Sequence, residues 1–196
     1  GTSIDAYRLR AHEQGDQVDV YFYSHAQNRW TPLKKSVERE QAIAYVHKFK
    51  KIITDINASS EGFYLLEHIL LRPRTDSSIA EVGEKSYADD FYNCHLSFIF
   101  PKWTARFANP AFRHFAEKTV ANQLPAHLFP QVFWLNLAEM EAFESYYQPW
   151  LKCLHDYEQQ KLTGEPDAST TATLNQTGQK IRDWLEQQSP SAAYWI

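Results

Sequence analysis

The residues best suited to chemistry in this sequence are an adjacent acid and base, Glu67 and His68, within the segment GFYLLEHILLRPR at 62–74. A carboxylate and an imidazole that exchange a proton must meet through their side chains. The segment is bracketed by Gly62 and Pro73, and its length and aliphatic content predict a buried strand. Neighbouring residues on a strand point to opposite faces, so this pair cannot share a proton directly. The pattern therefore favours a structural role in which each side chain binds a buried partner.

Two arginines close the same segment, and they are the obvious charge complements of a buried Glu67. A guanidinium can bind a carboxylate through two parallel hydrogen bonds, which fixes both side chains. We therefore interpret Glu67, His68, Arg72, Pro73 and Arg74 as one structural motif.

Other reactive residue types are present without the spacing that catalysis or metal binding requires. Cys94 precedes His95, but adjacent strand residues face apart, whereas a catalytic thiol and imidazole normally meet across the fold. His95, His114 and His127 lie on a predicted strand, helix and turn, and Cys94 and Cys153 form no CxxC pair. The sequence also lacks the glycine-rich loops that hold nucleotides. We therefore assign no catalytic, cofactor-binding or metal-binding residue and expect no cofactor.

Two other classes of function remain open. A hydrolase or metal-dependent enzyme would use Glu67, His68, Cys94 and His95. A peptide-binding or sugar-binding module would use Trp30, Trp103 and the tyrosines.

The composition is that of a folded domain with little attraction for nucleic acid. Among 196 residues, 43% are hydrophobic and 15% aromatic, which is far from a disordered composition. The net charge of −4, from 20 basic and 24 acidic residues, provides no field for a polyanion. Apolar runs are too short to span a bilayer, so we expect no membrane span and synthesis in the cytoplasm.

The first half of the chain predicts a β-hairpin, a helix and a strand. Two alternating runs at 6–11 and 18–24 form the hairpin, and helical spacing predicts a helix over 37–56 with Ser36 as its N-cap. Residues 62–74 follow as the strand, and the polar stretch 75–90 is interpreted as a surface loop.

The second half predicts a βαβ unit followed by two helices. The unit comprises a strand at 91–100, a helix at 109–124 and a strand at 128–136. A long helix at 138–161 and a last helix at 174–188 flank a mobile connection around 168–173. The fold class is therefore α+β with a mixed sheet, on which the long C-terminal helix packs. The portions 1–74, 75–90, 91–162 and 163–196 are expected to form one compact unit.

One connection in this half is a candidate for contact with a partner. The aromatic segment FPKWTARF immediately precedes the predicted helix at 109–124. Loops on a rigid scaffold often carry binding residues. We therefore interpret Trp103, Arg106 and Phe107 as possible partner contacts.

Three segments, at 62–74, 89–128 and 133–151, together resemble the C-terminal region of large proteins associated with phage-tail-like contractile injection systems. The shared features are an EHILLRP segment, a strand end of the form FP-W-RF, a PAH turn and an M--FE--Y--WL helix. The PAH turn is also similar to that of small baseplate tail proteins of contractile phages.

The resemblance implies a non-enzymatic, baseplate-associated component whose partners are other protein subunits of a tail-like particle. It implies a location in the cytoplasm at synthesis and then in the assembled or released particle. Pro125, Ala126 and His127 would shape the turn into the next strand, and we hypothesise that a buried hydrogen bond of His127 pins that turn.

Overall fold

The computed structural model of this protein describes residues 3–12, 16–24, 27–74 and 89–193. It confirms the α+β class, with two sheets and five α-helices in the described residues. None of the described helices is both long enough and apolar enough to cross a bilayer.

The chain divides into two compact units, 1–61 and 62–196, where the sequence analysis expected one. The first unit has a hydrophobic core of its own, in which the helix of that unit packs against the sheet of that unit. The second unit has two further clusters of buried side chains. The chain forms two units because each segment buries its apolar residues locally.

The first unit is a three-stranded antiparallel sheet covered by one helix. Its elements are β1 (Tyr7–Ala11), β2 (Gln17–Ser24), β3 (Arg29–Glu38) and α1 (Arg39–Ser60). The buried residues of this core are Val18, Val20, Val37, Ala42 and Val46. The hairpin is thus confirmed, but it gains a third strand.

That third strand changes the predicted start of the helix. Ser36 lies inside β3 with a positive φ of 54°, and its N–H donates to Asp19 Oδ1 at 2.9 Å. The prediction of Ser36 as an N-cap is therefore wrong. The helix begins at Arg39, after Glu38, whose side chain makes no capping bond.

The second unit contains a mixed four-stranded sheet with the strand order β4-β5-β6-β7. Strands β5 and β6 are parallel, and the two outer pairings are antiparallel. Its elements are β4 (Tyr64–Glu67), a 3-10 helix (His68–Leu71), α2 (Asp89–Tyr92), β5 (His95–Pro101), α3 (Pro110–Gln123), β6 (Phe129–Leu135), α4 (Leu137–Thr163), α5 (Ala168–Gln187) and β7 (Ala192–Ala193).

Helices cover the two faces of this sheet unequally. On one face, α3 packs on alternate strand residues, namely Leu96, Phe98, Phe100, Val132 and Trp134. On the other face, α4 and α5 pack on the intervening residues and the edge strand, namely Leu66, Ile99, Phe133 and Leu135. The prediction that the long helix packs on a mixed sheet is confirmed, and a second helix joins it there.

Three boundaries differ from the sequence prediction. The strand predicted over 62–74 ends at Glu67, because the chain then turns into the 3-10 helix. The strand predicted from residue 91 begins at His95, since α2 precedes it. The connection predicted around 168–173 is instead the first part of α5. The predicted loop at 75–90 lies outside the described residues as far as residue 88, and Asp89 already begins α2.

Helix starts inside the second unit follow their sequence signals. Asn109 caps α3 through its side chain, which accepts from the N–H of Ala111 at 2.9 Å, and proline follows as predicted. Asn136 and Glu139 form a reciprocal capping box at the start of α4. These caps fix where the two helices leave the sheet.

Candidate functional site

The predicted motif Glu67–Arg74 lies where the edge strand β4 gives way to the 3-10 helix, and His68 is its most buried polar residue. The imidazole Nδ1–H donates to the carbonyl of Phe91 at 2.9 Å. The hydroxyl of Ser97, on β5, donates to Nε2 at 2.8 Å. Both ring nitrogens of His68 are therefore satisfied by the protein. The motif histidine thus joins the 3-10 helix to α2 and to the sheet.

The protonation state of His68 follows from this burial. Removal from water lowers the pKa of His68 from 6.5 to about 4, although the Phe91 carbonyl opposes the shift. The ring is therefore neutral at pH 7, with Nδ1 as the donor and Nε2 as the acceptor. A buried Ser–His pair of this kind resembles a nucleophile and its base. Here Ser97 is fully buried, so its hydroxyl holds the imidazole rather than facing a substrate.

Glu67 lies in the solvent, in contrast to the buried His68. Its side chain is exposed at the end of β4, and His68 turns inward as the first residue of the 3-10 helix. The prediction that the two cannot share a proton agrees with this geometry. Arg72 and Arg74 were proposed as partners for a buried Glu67, and this condition is not met, because the exposed carboxylate is solvated by water.

Both arginines bind elsewhere. Arg72 lies over the ring of Tyr92 at 5.8 Å, and the guanidinium of Arg74 donates to the carbonyl of Arg72 at 2.7 Å. The main chain of Arg74 makes a reciprocal pair with Asn175 on α5: its N–H donates to Oδ1 at 2.8 Å, and Nδ2 donates back to its carbonyl at 3.1 Å. Pro73 stands between the arginines and is half-buried. The end of the motif is thus attached to α5 through an amide that sequence reasoning missed.

The carbonyl of Leu71 provides a second attachment to α5. It accepts from the guanidinium of Arg182, a side chain with only 1% exposure, which also donates to Gln179 Oε1. Gly178 stands beside this contact. The hydrogen bond from this buried guanidinium to the main-chain carbonyl holds the 3-10 helix against α5. Either group, if buried without the other, would lose its hydration and gain no hydrogen bond in return.

Gly178 gives a test of how tightly this contact is packed. A Cβ at that position would lie 3.5 Å from Arg182, 3.6 Å from the Leu71 carbonyl and 3.7 Å from Trp150, all ordinary contact distances. Because glycine is a poor helix former, Gly178→Ala is expected to stabilise the protein by up to about 1 kcal/mol. Gly178→Leu should destabilise it by about 1–3 kcal/mol, since the longer side chain overpacks the contact. Chemical denaturation of both variants measures the difference, and equal effects would contradict this packing.

The residues proposed for an enzyme do not converge on one accessible site. The rings of His68 and His95 stack at 5.7 Å, but His68 is buried whereas Cys94 and Glu67 are exposed. Cys94 has a positive φ of 61° and is an exposed residue in the bend between α2 and β5, whereas the sequence analysis placed it on a strand. Within the described ranges, no group of three or more His, Cys, Asp or Glu side chains is arranged to hold a metal ion.

The two tryptophans proposed for a binding module, Trp30 and Trp103, pack against other residues of their own units. Trp30 lies in β3, with the guanidinium of Arg8 over its ring at 4.8 Å and Tyr23 against it at 5.3 Å. Trp103, in the second unit, is half-buried and packs against the core beneath α4 and α5. Each ring is therefore held by neighbours of its own unit.

The other two predicted partner contacts, Phe107 and Arg106, differ in their exposure to solvent. Phe107 is a core residue with 7% exposure, and its ring stacks on Phe112 at 5.4 Å. The prediction of Phe107 as a partner contact is therefore wrong. Arg106 is exposed, with its guanidinium 5.9 Å from the Phe112 ring. Of these two residues, only the arginine presents its side chain to solvent.

The turn of Pro125, Ala126 and His127 joins α3 to β6, as predicted, and all three residues are exposed. A main-chain hydrogen bond from the N–H of Leu128 to the carbonyl of Pro125 closes the turn at 3.0 Å. The hypothesis that a buried bond of His127 pins the turn therefore requires correction.

The exposed position of His127 leads to a prediction of its own. His127→Ala is expected to change the free energy of unfolding by less than about 0.5 kcal/mol, because exposed side chains contribute little. Chemical denaturation at neutral pH measures this change. A loss of 1 kcal/mol or more would instead restore a structural role for the imidazole.

The second unit also has an apolar groove between α3 and β5, bounded by Phe63 just before the edge strand, with a volume of about 340 Å³. Two aromatic side chains on its rim are mostly exposed, Phe63 at 54% and Phe115 at 65%. The groove is lined by Phe63, Phe98, Phe100, Phe112, Phe115, Ala116, Thr119, Val120, Gln123 and Leu124. Sequence reasoning missed this groove, although Phe63, three residues after the end of the helix α1, lies in the same motif segment, 62–74.

Comparison with known proteins gave no relative: no family model and no curated protein matches this chain.

Proposed function

We propose that this chain is a non-enzymatic structural component of a phage-tail-like contractile injection particle, associated with its baseplate. The proposal rests on the resemblance of the segments at 62–74, 89–128 and 133–151 to proteins of those systems. Its partners would be other protein subunits, met after synthesis in the cytoplasm and retained in the assembled or released particle.

The observation that carries the proposal is how the EHILLRPR motif uses its polar groups. His68 binds Ser97 and the Phe91 carbonyl, and the Leu71 carbonyl and the main chain of Arg74 bind α5. Such groups stabilise a scaffold, because each satisfies a buried donor or acceptor. Their use inside the fold favours an architectural role for the motif over a catalytic one.

The apolar groove supports contact with other proteins. Exposed, contiguous apolar surface on a folded domain marks an interaction site more often than an accident of composition. Phe63 and Phe115 on its rim would be covered when a partner binds.

Affinity purification from the native organism tests the proposal. The protein is tagged at its chromosomal locus, particles are assembled, and the co-purifying proteins are identified by mass spectrometry. Sheath, tube and baseplate subunits are expected in the eluate and absent from an untagged control. If cells that assemble such particles yield none of these subunits with the tagged protein, the proposal is wrong.

A further inference from the structure

We propose that the apolar groove beside α3 binds an amphipathic helix of a neighbouring subunit that extends over β4, and that a lysine or arginine of this helix pairs with Glu67. This inference rests on the proposed function, because it assumes that the chain contacts other proteins. It assigns a role to the exposed carboxylate of the motif, Glu67.

Strand register places Glu67 on the same face of the sheet as the groove. Leu65 lies opposite Phe98 and Glu67 opposite Leu96 in the antiparallel pair of β4 and β5. Both partners on β5 belong to the cluster that packs against α3. Since alternate residues share a face, Phe63, Leu65 and Glu67 form one row along the edge strand, two apolar residues followed by a carboxylate.

The width of the uncovered strip fits one helix. Neighbouring strands lie about 4.8 Å apart and a helix with side chains is about 10 Å across, so one helix covers roughly two strands. Among the described residues, two helices, α4 and α5, pack on the opposite face, whereas one helix, α3, packs on this one. The residues left exposed are Leu65 on β4, at 45%, and Phe63 immediately before that strand, at 54%.

The lining of the groove offers few hydrogen-bonding groups, so a bound segment must pair its main-chain N–H and carbonyl groups within itself. Only Thr119 and Gln123 contribute polar side chains to the lining, and the hydroxyl of Thr119 already donates to the carbonyl of Phe115 at 2.8 Å. An extended peptide lying there would bury N–H and carbonyl groups without partners. A helix bonds these groups internally and presents only its side chains.

Addition of a strand to the edge of β4 fits the surface less well. The strand has four residues, so it offers few main-chain bonds to an added chain. A strand paired at that edge would also leave Phe115, on α3, exposed to water.

The negative charge of Glu67 favours a bound helix with a basic residue at one end of its apolar stripe. The carboxylate of Glu67 is exposed and makes no hydrogen bond or ion pair with any residue in the described part of the chain. A carboxylate at the end of an apolar row complements a cationic side chain at the end of an apolar stripe. The predicted ligand is therefore a helix with apolar residues at i, i+3/i+4 and i+7 and a Lys or Arg at the position that meets Glu67.

Selection from a displayed peptide library tests the proposal with the full chain as bait. The library encodes helices of about 14 residues, the length of α3, with randomised faces. A bait with Phe115→Asp removes peptides that bind elsewhere, and the thermal melt of that bait verifies that it is folded. Enriched peptides should be helical and apolar on one face, with an excess of Lys or Arg. A synthetic copy should bind Phe115→Asp at least about tenfold more weakly than the unchanged protein.

Glu67→Lys provides the sharper test, because it reverses the charge without touching the apolar lining. Selection on this bait should replace the basic residue by Asp or Glu. The proposal is overturned if no peptide is enriched relative to the Phe115→Asp bait, if the enriched peptides have the alternating pattern of an extended strand, or if Lys or Arg persists on the reversed bait.

The native purification distinguishes this inference from the function on which it rests. If particle subunits co-purify equally with the unchanged protein and with Phe115→Asp, the architectural function stands and the groove proposal fails. If the unchanged protein brings down no particle subunit, the architectural function fails whatever the library shows.

Discussion

Acidification from pH 6.5 to about pH 4 is expected to lower the free energy of unfolding by about 3 kcal/mol through His68 alone. The folded-state pKa of about 4 lies below the ordinary value of 6.5, so between these values the unfolded chain holds a proton that the folded chain does not. The contribution of His68 is therefore complete above pH 6.5 and is lost progressively as the pH falls toward 4. The physical cause is burial, since the imidazole is only 1% exposed and Nε2 accepts from Ser97.

The measurement compares the pH dependence of denaturation in two variants. His68→Asn removes the titrating ring and keeps an amide that can donate to the Phe91 carbonyl. It lowers stability at pH 7 but should flatten the decline between pH 6.5 and 4, because a neutral amide takes up no proton. His127→Asn is the matched control: its ring is exposed, so the decline should remain. An unchanged slope in His68→Asn would contradict the assignment of the acid sensitivity to this imidazole.

The strands and helices that the sequence predicted correctly are those with an unambiguous local signal. Asn109 and the proline after it place the start of α3, and the short apolar runs within 91–100 and 128–136 predict the strands β5 and β6. β3 was missed because Pro32 and the Lys34–Lys35 pair are untypical of a strand. The strand forms nevertheless, since it lies at the edge of its sheet, where a missing N–H is tolerated.

The first turns of α5 are helical although their residues have a poor helix propensity. Residues 168–173 are rich in Ser and Thr, which compete with the main chain for hydrogen bonds and predict a loop. In the structure, Thr171 and Thr173 instead donate to the carbonyls four residues earlier, those of Asp167 and Ser169. These bonds are compatible with the helix, and Gln160 on α4 holds its start, since Nε2 donates to the Thr170 hydroxyl at 3.1 Å and Oε1 accepts from the N–H of Asp167 at 2.9 Å.

The candidate site was less predictable than the fold because its partners are distant in sequence. His68 was recognised as a residue needing a buried partner, but Ser97 is 29 positions away and carries no pattern of its own. Arg182 and Asn175 lie more than 100 positions from the carbonyl or main chain that they bind. Composition and periodicity describe each element separately, whereas these contacts exist only after the elements pack.

The largest effect of a single substitution is expected at Phe143, in the core between the sheet and α4. Its ring has no exposed area and packs against Tyr64, Tyr147 and Trp184 at centroid distances of 5.4, 5.2 and 5.0 Å. Phe143→Ala should therefore lower the free energy of unfolding by about 3–5 kcal/mol, through lost burial and the cavity left behind. The aromatic contacts add to this loss, because an aliphatic neighbour cannot replace their edge and face geometry.

Phe115→Ala is the matched control, since the same atoms are removed from a ring that is 65% exposed. Its effect should stay within about 0.5 kcal/mol, because little area returns to water and alanine favours the helix. Chemical denaturation of both variants at neutral pH separates the two environments. A cost of several kcal/mol at Phe115 would mean that the ring is buried by the fold in solution. In that case the groove would be closed, and the surface proposed for a partner helix would belong to the core instead.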